Sequence, residues 1–187
     1  MKRSYIIIGG IVLLVIILFF SYRGSYNTAV TYQEDVDKAW GDVGASYQRR
    51  ADLVPQLVAT VKGAAANEKD ILTKVTNARA GISNAKTPED MELMGKEINA
   101  AINLAFEAYP QIRSTENFGA LQAQLEGTEN RINKARTDYN ETVKKYNSHI
   151  RGFLNSMLLN KETFPKKEAF KAAEGTENAP EVSFEQE

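Results

Sequence analysis

The sequence predicts an all-α protein in which an N-terminal transmembrane helix is followed by an elongated antiparallel up-and-down helical bundle. Three observations carry that prediction. One uninterrupted apolar stretch stands near the N-terminus; beyond it, apolar residues recur at alternating steps of four and three; and proline and capping residues punctuate that rhythm without the alternation a strand would show. The 187 residues leave room for one anchor and one domain of ordinary size.

The anchor comes first. From Ser4 to Tyr22 the chain runs 19 residues without a charge, 13 of them Ile, Leu, Val or Phe. As a helix this stretch spans ~28 Å, against a hydrocarbon core of ~30 Å. Apolar residues contribute about −0.3 to −0.6 kcal/mol each to insertion, so the segment partitions into lipid by roughly −4 to −8 kcal/mol. Lys2 and Arg3 also fit a cleaved secretory signal, but Phe19 to Ser25 offers no small-x-small pair at a cleavage distance. The helix is therefore read as an uncleaved single-pass anchor, in contact with the bilayer from Ser4 to Tyr22, with Tyr5 and Tyr22 at the headgroups. Lys2 and Arg3 outnumber Arg23, and Lys38 follows only after Glu34, Asp35 and Asp37. Because basic residues are retained on the cytoplasmic side, this bias places the bulk domain outside the cytoplasm.

Residues 1–25 thus form the anchor and residues 26–160 the bundle. In the first segment, Val36, Trp40, Val43 and Tyr47, then Val54, Leu57, Val61 and Ala64, then Ile71, Val75, Ala78 and Ile82 keep a 3.5-residue period. Arg50 and Glu68 are polar members of that register and should be paired across the bundle or mark a point where the stripe turns aside. Pro55 removes one backbone bond and crowds the carbonyl of Ala51, so a kink is expected there. Around Gly63 to Asn67 the pattern allows either one kinked helix, about 80 Å long through Ile82, or two helices with Asn67 as a cap. The bundle has three long segments in the first case and four helices in the second.

Ala80 to Lys86 reads as a turn. Thr87-Pro88-Glu89-Asp90 then restarts a helix with a capping hydroxyl, proline at the first position and acids in the first turn. That helix carries Met91, Met94, Ile98, Ala101, Ile102 and Ala105 inward and ends in a turn at Tyr109 and Pro110. Ser114 caps a long last segment whose inward positions are Phe118, Leu121, Leu125, Ile132, Ala135, Tyr139, Tyr146, Ile150 and Phe153, with Val143 one residue out of step. Short turns make such segments antiparallel neighbours. Residues 161–187, with Pro165, Pro180 and four lysines against seven glutamates, read as a mobile charged tail.

A set of phrases between the stripes resembles the LemA family of bacterial membrane proteins. They are Arg49-Arg50-Ala51-Asp52-Leu53-Val54-Pro55-Gln56-Leu57-Val58, Glu107-Ala108-Tyr109-Pro110, Glu116-Asn117-Phe118, Gly127-Thr128-Glu129-Asn130-Arg131-Ile132, and Ala135-Arg136 with Tyr139-Asn140. With Tyr26-Asn27 after the anchor, they cover nearly the whole chain to about Asn155. The resemblance implies an anchored four-helix, up-and-down bundle of bacterial origin, with no catalytic residues to carry over. The chain departs from the family at Gln56, Ala29 and Leu154.

The most informative polar set is Glu129, Asn133, Arg136 and Asn140, spaced to share one flank of the last helix and continued by Asn147. It reads either as a solvated face or as a structural network in which Arg50 reaches Glu129 or Glu126 across the bundle and the asparagines fix register. If that pair is buried, losing one partner costs about 3–5 kcal/mol. Tyr26, Tyr32, Tyr47, Tyr139 and Tyr146 read as packing residues, and His149 as a surface residue near a helix C-terminus. Glu107 and Glu116 flank the Tyr109-Pro110 turn and read as turn support.

Composition narrows the function. Lys and Arg total 23 against 24 Asp and Glu, leaving no one-sign field for nucleic acid. Cysteine is absent and histidine is single, which removes thiolate nucleophiles and the usual metal ligands. Glycine-rich phosphate loops and nucleophile elbows are missing from the sequence. The expectation is a non-enzymatic, cofactor-free scaffold or adaptor in the bacterial cytoplasmic (inner) membrane, acting on another envelope protein. Self-association into a homo-oligomer that shapes the membrane is one alternative; a small-molecule sensor or enzyme with its site in the bundle core is another.

Overall fold

A computed structural model describes residues 2–59, 65–108 and 116–171, and among these the only regular secondary structure is helix. The elements are α1 (Lys2–Ala59), α2 (Ala65–Asn84), α3 (Pro88–Ala108), α4 (Glu116–Ile150) and the short α5 (Phe153–Leu158). Expectations placed on Val61, Ala64, Tyr109, Pro110 and Ser114, and on the side chains of Glu68, Glu116 and Phe118, fall outside the described residues.

Helix α1 joins the apolar N-terminal stretch and the first helix of the bundle in one element. Its 58 residues make a rod of about 87 Å. The most apolar 18-residue window, near the N-terminus, is wholly unburied, with Ile6 at 74 % and Phe20 at 62 % exposure. By length and composition this stretch is apolar enough to cross a membrane. Helical geometry continues through Pro55 to Ala59.

The chain then reverses, because Asp52 of α1 pairs with Arg79 of α2 at 2.7 Å. Trp40, Gly41 and Gly44 lie across from Ile82, Ser83 and Ala85. The long first segment is therefore two antiparallel helices, and α2 is already helical from Ala65, so Asn67 sits inside it. The helix also runs further than expected, to Asn84, leaving a turn only at Ala85 to Thr87. Its last turn is held by the Ser83 hydroxyl and the Asn84 amide, which donate to the carbonyls of Arg79 and Ala80.

Helix α3 starts with a reciprocal cap. The Asp90 amide donates to the Thr87 hydroxyl, and the Thr87 amide donates back to the Asp90 carboxylate, both at 3.1 Å. Gly44 faces Met91, Tyr47 faces Gly95 and Arg50 reaches Asn99, so α3 runs parallel to α1. Helix α4 runs antiparallel to α1, since Tyr32 meets His149, Trp40 meets Tyr139 and Arg50 meets Glu129. The order is up, down, up, down. The core follows the predicted stripe: Val36, Val43, Val54, Ile71, Val75, Met91, Ile98 and Tyr146 are at most 2 % exposed. Val143, out of step in sequence, is equally buried.

Two expectations for the C-terminal part need correction. Phe153 is 81 % exposed, because α4 ends at Ile150 and the turn at Arg151 and Gly152 redirects the chain before Phe153. Residues 161–171 are not a mobile tail. Residues 161–164 turn the chain, closed by the Phe164 amide donating to the Asn160 carbonyl, and 165–171 form an extended strap that returns along α4, with Phe164 at 4 % and Phe170 at 5 % exposure. Residues beyond 171 are outside the description.

Candidate functional site

The strap is held mainly by its backbone. Asn147 donates to the Lys167 carbonyl at 2.8 Å and accepts from the Lys167 amide at 3.1 Å; Asn140 does the same for Phe170, at 3.0 and 2.8 Å. The spacing explains the match. Seven residues of helix cover about 10.5 Å, and three residues of extended chain cover about 10 Å. The Tyr146 and Tyr139 hydroxyls donate to the carbonyls of Pro165 and Glu168, each at 3.0 Å. Burial pushes both phenols upward, Tyr139 to about 12.

The side chain that locks the strap is Phe170. Its ring stacks on Trp40 at 6.0 Å, meets Tyr139 edge-on at 5.4 Å and lies under the Arg136 guanidinium at 4.8 Å. Arg136 also donates to the Lys171 carbonyl at 3.2 Å and to Glu92 of α3 at 2.6 Å.

Past Lys171 the groove opens into a polar cleft of about 570 Å³ between α3 and α4. These two helices do not meet backbone to backbone among the described residues. Their facing stripes explain the gap. Glu89, Glu92, Lys96 and Asn99 on α3 confront Glu129 and Arg136 on α4, over a floor of Tyr47, Gly95 and Ile132. Long charged side chains line the opening and are paired: Glu92 with Arg136 across it at 2.6 Å, Glu129 with Arg50 of α1 at 3.1 Å, and Glu89 with Lys171 of the strap at 3.1 Å. Burial pushes the Tyr47 phenol up, while Arg136 beside it opposes that shift. Each of these three carboxylates thus faces a cation.

Arg50 does more than meet Glu129. It also donates to the Asn99 side chain at 3.0 Å, the Leu125 carbonyl at 2.9 Å and the Thr128 hydroxyl at 3.4 Å. Burial pulls its guanidinium downward and Glu129 counters that shift. The rest of the predicted flank divides. Arg136 and Asn140 join the strap, whereas Asn133 is exposed and Glu126, among the described residues, accepts from Gln122 one turn earlier rather than from Arg50. Glu107 is exposed on α3.

Sequence reasoning missed the partner of Asn140 and Asn147. The available signal was Phe164 and Phe170, two large apolar residues isolated in a charged segment. His149 is also more than a surface residue. Its Nε2 donates to the Ser25 carbonyl at 3.0 Å, its ring meets Tyr32 edge-on, and Asn155 donates to its Nδ1 at 3.3 Å. That pattern assigns the ring proton to Nε2.

Comparison with known proteins places these features in a family. Residues 39–184 match the family model described as LemA family. The chain is also 23 % identical over 167 residues to Protein LemA of Metamycoplasma hominis, an alignment covering 87 % of this chain and 76 % of that protein.

Proposed function

The chain belongs to the LemA family, and from that premise we propose that it is a membrane-anchored, non-enzymatic adaptor that binds an envelope protein partner. One observation carries this reading: the α1–α4 groove holds an extended segment by its backbone and runs on into an open polar cleft. Side-chain amides that pair with backbone groups accept many sequences, and the Phe170 pocket and charged rim add selectivity. The partner is read as a polar, extended segment of another protein. Restriction to the membrane raises its effective concentration, so modest contacts suffice. The charge bias at the anchor supports the bacterial inner membrane with the domain on its outer side.

The apolar stripe is consumed within one chain, which favours a different partner over self-association. A small-molecule sensor is the second reading. Its support is the cleft volume, which lies within the ~300–1,000 Å³ of ligand pockets, although such pockets are more apolar than this one.

Photo-crosslinkers placed at Lys96 and Asn99 on the cleft rim, and at Lys144 on the exposed flank of α4, test the adaptor reading in intact cells. The rim positions should give a discrete protein adduct that Lys144 does not. No adduct above background from either rim position would sink it.

A further inference from the structure

We propose that α5 docks into the headgroup layer of the same bilayer that holds the anchor, so that the domain is fastened to the membrane at two points. The topology puts α5 there. Helix α4 runs back toward the anchor, and α5 is the turning point before the strap leaves again. Its Asn155 accepts from the Ser25 hydroxyl at 2.7 Å and donates to the His149 carbonyl at 2.8 Å. Ser25 lies three residues beyond Tyr22, the last residue of the uncharged stretch, a rise of about 4.5 Å. The headgroup zone is about 5–8 Å deep on each side of the hydrocarbon, so α5 sits within it.

The helix is amphipathic in the sense this location requires. Asn155 faces α1, while Phe153, Leu154 and Met157 lie on the opposite side and are 81, 62 and 74 % exposed. Apart from the anchor, these are the most exposed large apolar side chains among the described residues. Positions i, i+1 and i+4 share one face, the arrangement of a helix lying in the interface plane. Aromatic rings continue from anchor to strap at the same level: Tyr22 meets Tyr26 at 6.0 Å and Tyr26 meets Phe164 at 5.2 Å. Charge agrees. From Thr142 to Lys167 there are six Lys and Arg residues and one acid, Glu162, which suits an anionic surface. Continuity with the anchor's exposed apolar belt identifies the occupant as lipid rather than protein.

The inference rests on the anchor lying in a bilayer, and the test separates the two. The chain has no cysteine, so single-cysteine spin labels report one site each. The full chain is reconstituted in nanodiscs of phosphatidylcholine and phosphatidylglycerol, with labels at Leu13→Cys, Phe153→Cys, Leu154→Cys, Met157→Cys and Lys134→Cys. Collision with oxygen relative to a water-soluble nickel complex reads depth. The expected ratio is several-fold higher at 153, 154 and 157 than at 134, and highest at 13. A ratio at all three α5 positions equal to that at 134, with 13 immersed, overturns the docking and leaves the anchor standing. Shielding of all three from both reagents shows a protein cover and also overturns it. A low ratio at 13 removes the anchor itself. Adding Leu154→Asp to the Met157→Cys chain should drop the ratio toward that at 134, with helix content by circular dichroism unchanged. An undiminished ratio would mean that the anchor alone positions the tip.

Discussion

Arg50 occupies a core register position of α1, and its surroundings decide what it contributes. The Arg50 side chain is 13 % exposed while that of Glu129 is 45 % exposed, so a largely covered cation meets a half-solvated anion. Its neutral acceptors, Asn99 and the Leu125 carbonyl, are therefore as important as the ion pair. After Arg50→Ala, the Leu125 carbonyl keeps the Thr128 hydroxyl at 2.8 Å and Asn99 turns to water. The expected loss is about 1–3 kcal/mol, the cost of hydrogen bonds to a charged group, and smaller than the ~3–5 kcal/mol of a fully buried pair. Glu129→Gln should cost under about 1 kcal/mol. Thermal unfolding followed by circular dichroism measures both, and equal losses would show that the ion pair dominates after all. Arg50 was legible in the sequence because a charge in a heptad stripe breaks the pattern. Glu126 and Glu129 could not be separated in sequence, since they stand three residues apart on the last helix and only the rotation of α4 decides which one meets Arg50.

At the scale of the helices, the three-four rhythm made the core legible, because helices packed side by side bury one stripe each and leave its period in the sequence. The reversal between α1 and α2 was not decided by that rhythm, which runs on through both. Close approach of helices depends on two glycines that hydrophobic pattern ignores. A methyl at Gly95 would run into the Tyr47 ring, and one at Gly81 into the Met94 side chain. The outcomes should differ. Tyr47 is a rigid ring, 4 % exposed, in the α1 core, whereas Met94 is flexible and partly exposed. Gly95→Ala is expected to destabilise by about 1–3 kcal/mol through overpacking. Gly81→Ala should be near neutral, because relieving a helical glycine gains up to ~1 kcal/mol against a movable neighbour. Melting temperatures of the two variants check this, and a Gly95→Ala protein as stable as the parent would show that α3 slides freely over α1.

For the molecule as a whole, composition and packing disagree at the strap: a segment whose charge and prolines suggest mobility lies docked on the bundle. No periodicity advertises it, because an extended chain held backbone to side chain leaves almost any sequence acceptable. Ordering it costs about 1–2 kcal/mol per residue, which largely offsets two buried rings and the hydrogen bonds from α4. The strap should therefore open before the bundle does. Hydrogen exchange at neutral pH should show the Lys167 and Phe170 amides protected, but less than those in the middle of α4. Alkaline pH supplies a sharper test. Burial raises the Tyr139 phenol to about 12, with Asp37 and Glu168 adding to the shift; releasing the strap uncovers the hydroxyl and removes Glu168, so the phenol falls back toward its ordinary value of about 10. A raised phenol favours the docked state fully below about pH 10, and that contribution is lost between about 10 and 12. Trp40, the single tryptophan, stacks on Phe170 and reports release through its fluorescence. The parent should lose the strap across that window, and Tyr139→Phe, which has no proton to give up there, should retain it to higher pH. Coincident transitions in the two proteins would mean that Tyr139 does not hold the strap.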